Sequence, residues 1–325
     1  MRVGLFGTGA YGIALASVLV DNNVEVTMWT KFKEEKEQLE KTRRNDNLIK
    51  GYILPESIKL TNDVSDCVRD KEILIIAIPA AFVDGLCNEL KLYTTENQHI
   101  CIATKGIEQN TGLFIDNIVK KYINTDKIAV ISGPSFAKDV VTKKPIGLTL
   151  ATTNDETKKI IKDALCNDYL KLRHTYDVVG TEICGSIKNV IALASGMLDG
   201  LGANDSTRAM LITEAVHDIE EIIEAFDGDP RTVLSFAGFG DLLLTCTSSN
   251  SRNFAFGQLV GKGISKDEID NYLSNTTVEG YYTLESIYQL LNDKNVNIPI
   301  IDLIYEIIKN GKNAKELLTF LVEKV

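Results

Sequence analysis

Positive charge is the scarcer sign in this chain. Its 325 residues carry 35 Lys and Arg against 45 Asp and Glu, a net charge of −10, and the pI is near 5.0. Binding to nucleic acid or to an anionic membrane surface draws on a basic surface, so neither partner is expected, and any anionic ligand must be held by a few local cations. Histidine is rarer still, with three scattered copies, which argues against a His-based metal site; no metal is expected. The six cysteines, Cys67, Cys87, Cys101, Cys166, Cys184 and Cys246, show no CxxC spacing. That sets aside a zinc or redox pair and suits reduced, mostly buried thiols in a cytoplasmic protein. No apolar run reads as long enough to span a bilayer, so no membrane insertion is expected. A strand pattern starts almost at the first residue, so no signal peptide is expected. Internal repeats, low-complexity linkers and a disordered tail are also missing.

What is present divides the chain in two. The first half alternates strand and helix signals. "RVGLFG", "VEVTMWT", "EILIIAIP", "HICIATKG", "KIAVISGPS" and "IGLTLATT" read as strands. Most are continuous apolar runs, as expected of parallel strands covered on both faces. Between Asp177 and Thr181 the pattern changes. Beyond it Ile183, Ile187, Val190, Ile191, Ala194 and Leu198 follow helical spacing, and so do Met210, Ile212, Val216, Ile219, Ile222 and Ile223. The fold class expected is α/β: an N-terminal Rossmann-type doubly wound sheet followed by an all-α C-terminal domain. Residues 1–178 would be the dinucleotide-binding domain and residues 179–325 the helical substrate and catalytic domain.

"GLFGTGAYGIALA" contains Gly7, Gly9 and Gly12 as GxGxxG, after a strand and at the opening of a helix. Gly7 would allow the tight turn, Gly9 would let backbone approach a pyrophosphate, and Gly12 would let helix pack on sheet. The helix N-terminus offers free N–H groups and a positive dipole end to that anion. An acidic residue that reads the ribose of NAD usually stands at the end of the second strand. "MWTKFKEE" has Trp29, Thr30 and Lys31 there instead. Lys31 or Lys33 would suit a 2′-phosphate, or is a solvated loop lysine; the balance leans slightly to NADP being accepted.

Lys105, after "CIAT", and Gly133 and Ser135, in "SGPS", fall at the carboxyl ends of strands, where ligands bind in open α/β sheets. Ser135 also suits a helix N-cap. In the helical half, "CGSIKNVIALASG" places Lys188 inside a run that otherwise reads as buried. Its neighbours one turn away, Cys184, Ala192 and Ser195, are small. A desolvated lysine there can serve as general acid and base, or it snorkels out or forms a structural ion pair. From Thr232 to Gly261 the only anion is Asp241, after a Gly-Phe-Gly turn, and the only cation is Arg252, between Ser251 and Asn253. Asp241 also reads as a helix cap, whereas the group around Arg252 suits phosphate.

"GTGAYGIALA", "NLIKGYILPESIKLTND", "TKGI", "SGPSFA", "EICGSIKNVIALASGMLDGLG", "GFGDLLLTCTSSNSRN" and "TTVEG" together resemble the bacterial-type NAD(P)-dependent glycerol-3-phosphate dehydrogenases over nearly the whole chain. The resemblance implies reversible reduction of dihydroxyacetone phosphate to sn-glycerol 3-phosphate with NADH or NADPH, supplying phospholipid synthesis. It implies Lys188 as proton donor and acceptor, and Lys105 between nicotinamide and substrate. Gly133, Ser135, Asp241, Ser251, Arg252 and Asn253 are the implied substrate contacts. Ala10, Tyr11, Lys31, Lys105, Ala137, Arg252, Thr277 and Glu279 are the implied cofactor contacts. Four positions depart from the family's usual residues: Tyr11 for tryptophan, Ala203 for glycine, Glu214 for arginine, and Lys31 for arginine or histidine. A homodimer is the default expectation for a soluble metabolic enzyme.

Two other readings compete. A hydroxyacid or ketopantoate-type reductase of the same plan should lack the "SGPSFA" and "SRN" elements, which are present. A non-catalytic sensor of the NADH/NAD ratio would keep the glycines yet dispense with Lys188 or Asp241, and both remain.

Overall fold

The computed structural model describes residues 1–109 and 112–323. The chain groups into two compact units: Met1–Lys105 with Phe114–Val178, and Gly106–Leu113 with Val179–Val325. The segment Gly106–Leu113 therefore joins the second unit, although the sequence reading places all of 1–178 in the first. The strand before it ends at Ile102.

The first unit is an eight-stranded sheet. Its strands are β1 (Arg2–Phe6), β2 (Glu25–Trp29), β3 (Lys59–Thr61), β4 (Ile73–Ile76), β5 (His99–Ile102), β6 (Ile128–Ser132), β7 (Ile146–Ala151) and β8 (Leu170–Thr175). Their order is β3-β2-β1-β4-β5-β6-β7-β8. The chain thus winds outward from β1 in both directions. Alternation of side chains along each strand sends Val3, Leu5, Ile73 and Ile75 into one core and Phe6, Leu74, Ile76, Ile100 and Ile102 into another. Two covered faces explain the continuous apolar runs. "IGLTLATT" departs from that expectation, because β7 runs antiparallel to β6. β3 and β8 lie outside the strands expected from sequence. β3 has only three residues. β8 alternates Leu170 and Leu172 inward with exposed Lys171 and Arg173, a half-buried edge pattern rather than a buried run.

The second unit is helical. Val178–Gly200 carries the expected buried stripe of Ile183, Ile187, Val190, Ile191, Ala194 and Leu198. This helix does have the length and hydropathy to cross a membrane, contrary to the expectation from sequence, but 89% of its apolar window is buried inside the protein. In Asp205–Ala225, Ile212, Ile219, Ile222 and Ile223 are buried as expected. Met210 is instead 40% exposed, and Leu211 and Ala215 fill the buried face. Helix Arg252–Gly261 lies against Val178–Gly200 in backbone contact. A Cβ on Gly196 would stand 2.1 Å from the Phe254 carbonyl oxygen, and one on Gly257 would stand 2.1 Å from that of Leu193. Any side chain at either position would part the two helices.

Candidate active site

In the sheet unit, β1 delivers the chain into the glycine turn. Gly7 has φ +122, and a Cβ there would meet the Ala77 carbonyl oxygen at 2.5 Å. Gly12 is sealed as tightly, with its Cβ position 2.2 Å from the Gly7 carbonyl oxygen. Gly9 differs: nothing lies within 4 Å of its Cβ position. Gly9 is also the N-cap of helix Ala10–Asp21, with no side-chain cap and no acidic residue in the first turn. The turn therefore presents open space and backbone N–H groups at a helix N-terminus, which fits a dinucleotide's pyrophosphate. Ala10 and Tyr11, the next two residues, and Ala137 pack at the edge of the core beneath.

Four of the expected residues form a closed circuit of contacts here. Lys105 Nζ donates to the Gly133 carbonyl oxygen at 3.3 Å, and Ser135 Oγ donates to the same oxygen at 3.2 Å. Ser135 Oγ also reaches the Tyr11 hydroxyl at 3.4 Å. The Lys105 ammonium lies 5.9 Å from the Tyr11 ring centroid, within cation–π range. Ser135 is not a helix cap: the N-cap of Ala137–Val141 is Phe136. Lys31 sits beyond the end of β2 and is exposed. Lys33 is engaged with Glu37 at 3.8 Å.

In the helical unit, Lys188 is buried, and its Nζ donates to Asp241 Oδ1 at 2.8 Å and to Thr245 Oγ1 at 3.1 Å. The Lys188 and Asp241 side chains are 9% and 2% exposed. Asp241 offsets the cost of burying an ammonium, and Thr245 fixes its direction. Asp241 is the first residue of helix Asp241–Thr247, whose N-cap is Gly240. Asp241 is therefore not the N-cap that the sequence allowed. The preceding turn, Phe236–Gly240, is a π-helical kink with non-helical backbone at Gly238, a distortion of the kind that re-aims side chains near sites.

A second polar network surrounds Asn189, the residue after Lys188. Asn189 Nδ2 donates to Glu279 Oε2 at 3.2 Å, and Asn253 Nδ2 donates to Asn189 Oδ1 at 2.9 Å. The Gly280 N–H donates to Asn253 Oδ1 at 2.8 Å. Asn253 and Glu279 are thus brought together, although Asn253 points into the protein rather than standing open beside Arg252. Ser251 caps helix Arg252–Gly261 through the Phe254 N–H, which leaves Arg252 exposed at its first position. Thr277 is exposed two residues before Glu279.

Sequence reasoning missed Thr245 and Asn189. Thr245 stands four residues after Asp241, on the same helix face. Asn189 is an amide beside Lys188 in an apolar run. Both signals were in the chain. Of the departures, Ala203 is free of backbone strain, because the left-handed residue in that loop is Gly202, with φ +80. The cysteines match the reading as buried thiols, with only Cys166 partly exposed. Burial pushes the Cys87 thiol up to about 12, so it stays protonated.

A glycine turn opening on an uncapped helix at the carboxyl edge of a parallel sheet, in a chain that also buries a Lys–Asp pair in a helical unit, defines the class of nicotinamide-dependent oxidoreductases. The family model described as NAD-dependent glycerol-3-phosphate dehydrogenase N-terminus matches residues 2–158, and the one for the C-terminus matches residues 177–319. The chain belongs to that family and is an NAD(P)-dependent oxidoreductase. It is 34% identical over 318 residues to glycerol-3-phosphate dehydrogenase [NAD(P)+] of Staphylococcus haemolyticus, covering 97% of this chain and 96% of that one. It is 33% identical to the corresponding protein of Staphylococcus aureus, over 99% of this chain and 98% of that one. The crystal structure of glycerol-3-phosphate dehydrogenase from Coxiella burnetii superimposes with a TM-score of 0.94 at 27% identity, covering 99% of each chain. These matches span both units and set aside a hydroxyacid or ketopantoate-type reductase.

Proposed function

We propose that this chain catalyses the reversible reduction of dihydroxyacetone phosphate to sn-glycerol 3-phosphate, as the names of its relatives suggest. The observation that carries the reading is the buried Lys188–Asp241 pair with Thr245 at its side. The dinucleotide, when bound at the glycine turn, supplies or accepts the hydride. Gly7, Gly9, Gly12, Ala10 and Tyr11 hold it, with Lys31, Lys105, Ala137, Arg252, Thr277 and Glu279 as further contacts. Lys188 Nζ gives a proton to the substrate oxygen as negative charge builds there, and takes one back in the reverse direction. Asp241 keeps that ammonium in place through the 2.8 Å contact. Lys105 offers positive charge to the same oxygen. Arg252 binds the phosphate with a planar fork suited to it, beside Ser251 and Asn253. Asn253 has one amide N–H committed to Asn189, so its contribution to substrate comes from the rest of the amide or its backbone. Gly133 and Ser135 line the substrate side of the sheet unit. Fixing the phosphate fixes the ketone, which lowers the entropic part of the barrier.

In this reading residues 1–178 bind the dinucleotide, residues 179–325 carry the proton-transfer group, and the protein acts as a homodimer in the cytoplasm, feeding phospholipid synthesis. The test follows oxidation of NADH and NADPH with dihydroxyacetone phosphate and, in parallel, with unphosphorylated dihydroxyacetone. Fast, phosphate-dependent oxidation is expected. Tight NADH binding without turnover on either ketone would overturn the reading in favour of a sensor.

A further inference from the structure

The sequence offers no acidic residue at the end of β2, where a Rossmann unit reads the ribose. The tertiary structure brings one there. β2 ends at Trp29, and Thr30 continues its pairing, with the Thr30 N–H donating to the Thr61 carbonyl oxygen at 3.1 Å. Thr30 is 3% exposed, and its hydroxyl donates to the carboxylate of Glu35 at 2.5 Å. Glu35 comes from the first turn of the next helix, Lys33–Thr42. The neighbouring lysines on that helix have carboxylate partners: Lys33 has Glu37 and Lys36 has Glu40 at 2.7 Å. Among the described residues, neither Glu35 nor the exposed Lys31 has an oppositely charged partner. At the β2 corner Glu35 is thus an anion, and Lys31 a cation, without an ion-pair partner among the described residues.

We infer that Glu35, held by Thr30, is a specificity-determining residue that favours NAD over NADP, opposing Lys31. This rests on the dinucleotide site proposed above. A carboxylate accepts hydrogen bonds from ribose hydroxyls, whereas a 2′-phosphate beside it meets like charge. Lys31 attracts the phosphate and leaves the hydroxyls of NAD indifferent. The two charges in balance give a protein that accepts both coenzymes, and neutralising either one tips it.

Glu35→Gln is the clean variant, because the amide oxygen still accepts the Thr30 hydroxyl while the charge is lost. Loss of one charged contact should raise the NADPH-over-NADH ratio of kcat/KM by about tenfold. Lys31→Gln should lower that ratio by a similar factor. Thr30→Val, which releases the carboxylate, should move the ratio in the direction of Glu35→Gln by a smaller factor. The KM for the ketone should stay put in all three. An unchanged ratio in Glu35→Gln, with only melting temperature altered, would show a helix-capping role and overturn the inference. Fluorescence titration of the unmodified protein and of Glu35→Gln, side by side, separates the two levels. Binding of neither NADH nor NADPH overturns the dinucleotide site itself; binding of both with a fixed ratio overturns only the role of Glu35.

Discussion

In the sheet unit, the turn shaped for a pyrophosphate is written in six consecutive residues, from Gly7 to Gly12. In the helical unit, Lys188 meets its carboxylate partner 53 residues later in the chain, and Asn189 meets Glu279 across 90 residues. The first site is made of backbone: two glycines sealed by neighbouring carbonyls and a third left open. The second is made of side chains converging from separate helices, whose docking depends on Gly196 and Gly257. A backbone site tolerates changes in distant residues but not in its own glycines. A side-chain site depends on each partner and on the packing that aligns them.

The largest expected difference between the units comes from Lys188→Met. It should lower kcat by about a thousandfold while the Kd for NADH stays within error by fluorescence titration, since Lys188 is not among the proposed cofactor contacts. Equal loss of both would erase the division of labour. Asp241→Ala strands the Lys188 charge and should destabilise the protein by about 3 kcal/mol, read by urea denaturation. The double variant Lys188→Met/Asp241→Leu should recover much of that stability and none of the activity.

Arg252 is exposed, so Arg252→Ala should raise the KM for the phosphorylated ketone about tenfold to a hundredfold, with melting unchanged. A fallen melting temperature would point to a structural arginine instead. Within the glycine turn, Gly9→Val has room for its side chain and should weaken NADH binding by about tenfold without loss of stability. Gly12→Val should lower the melting temperature, since its Cβ would press on the Gly7 carbonyl oxygen at 2.2 Å.

The smallest effect concerns His99, at the start of β5. Burial pushes its pKa below the ordinary imidazole value, so the folded chain holds it neutral, with Nδ1 2.9 Å from Thr157 Oγ1. Its stabilising contribution is full above about pH 6.5 and declines as pH falls, because the unfolded chain then binds the proton more readily. Melting curves between about pH 7.5 and 5.5 should flatten slightly in His99→Gln. An identical slope would remove His99 from the acid response.

Much of the fold was legible because its signals are local. Six strands announced themselves as apolar runs, and "AYGIALASVLV" gave its helix directly. β3 escaped because three residues carry too little pattern. β8 escaped because its Leu170 and Leu172 alternate with charges. The antiparallel turn of β7 was not legible, since a strand buried on both faces looks alike in either direction. Asp241 read as a possible cap, because Gly-Phe-Gly resembles a turn and not the π-helical kink it forms.

By itself, the sequence determined the alternation that makes a doubly wound sheet, the glycines that shape its first turn, and the identities of Lys188, Asp241 and Arg252. Those follow from periodicity and residue chemistry, which a linear chain carries in full. The tertiary structure alone decided which groups meet: Lys188 with Asp241 and Thr245, Asn189 with Asn253 and Glu279, and the Glu35 carboxylate with Thr30 at a strand end that the sequence left without an acid. The physical reason is that hydrogen bonds and ion pairs act over a few ångströms, and only the packing of helices and strands sets which distant residues come that close.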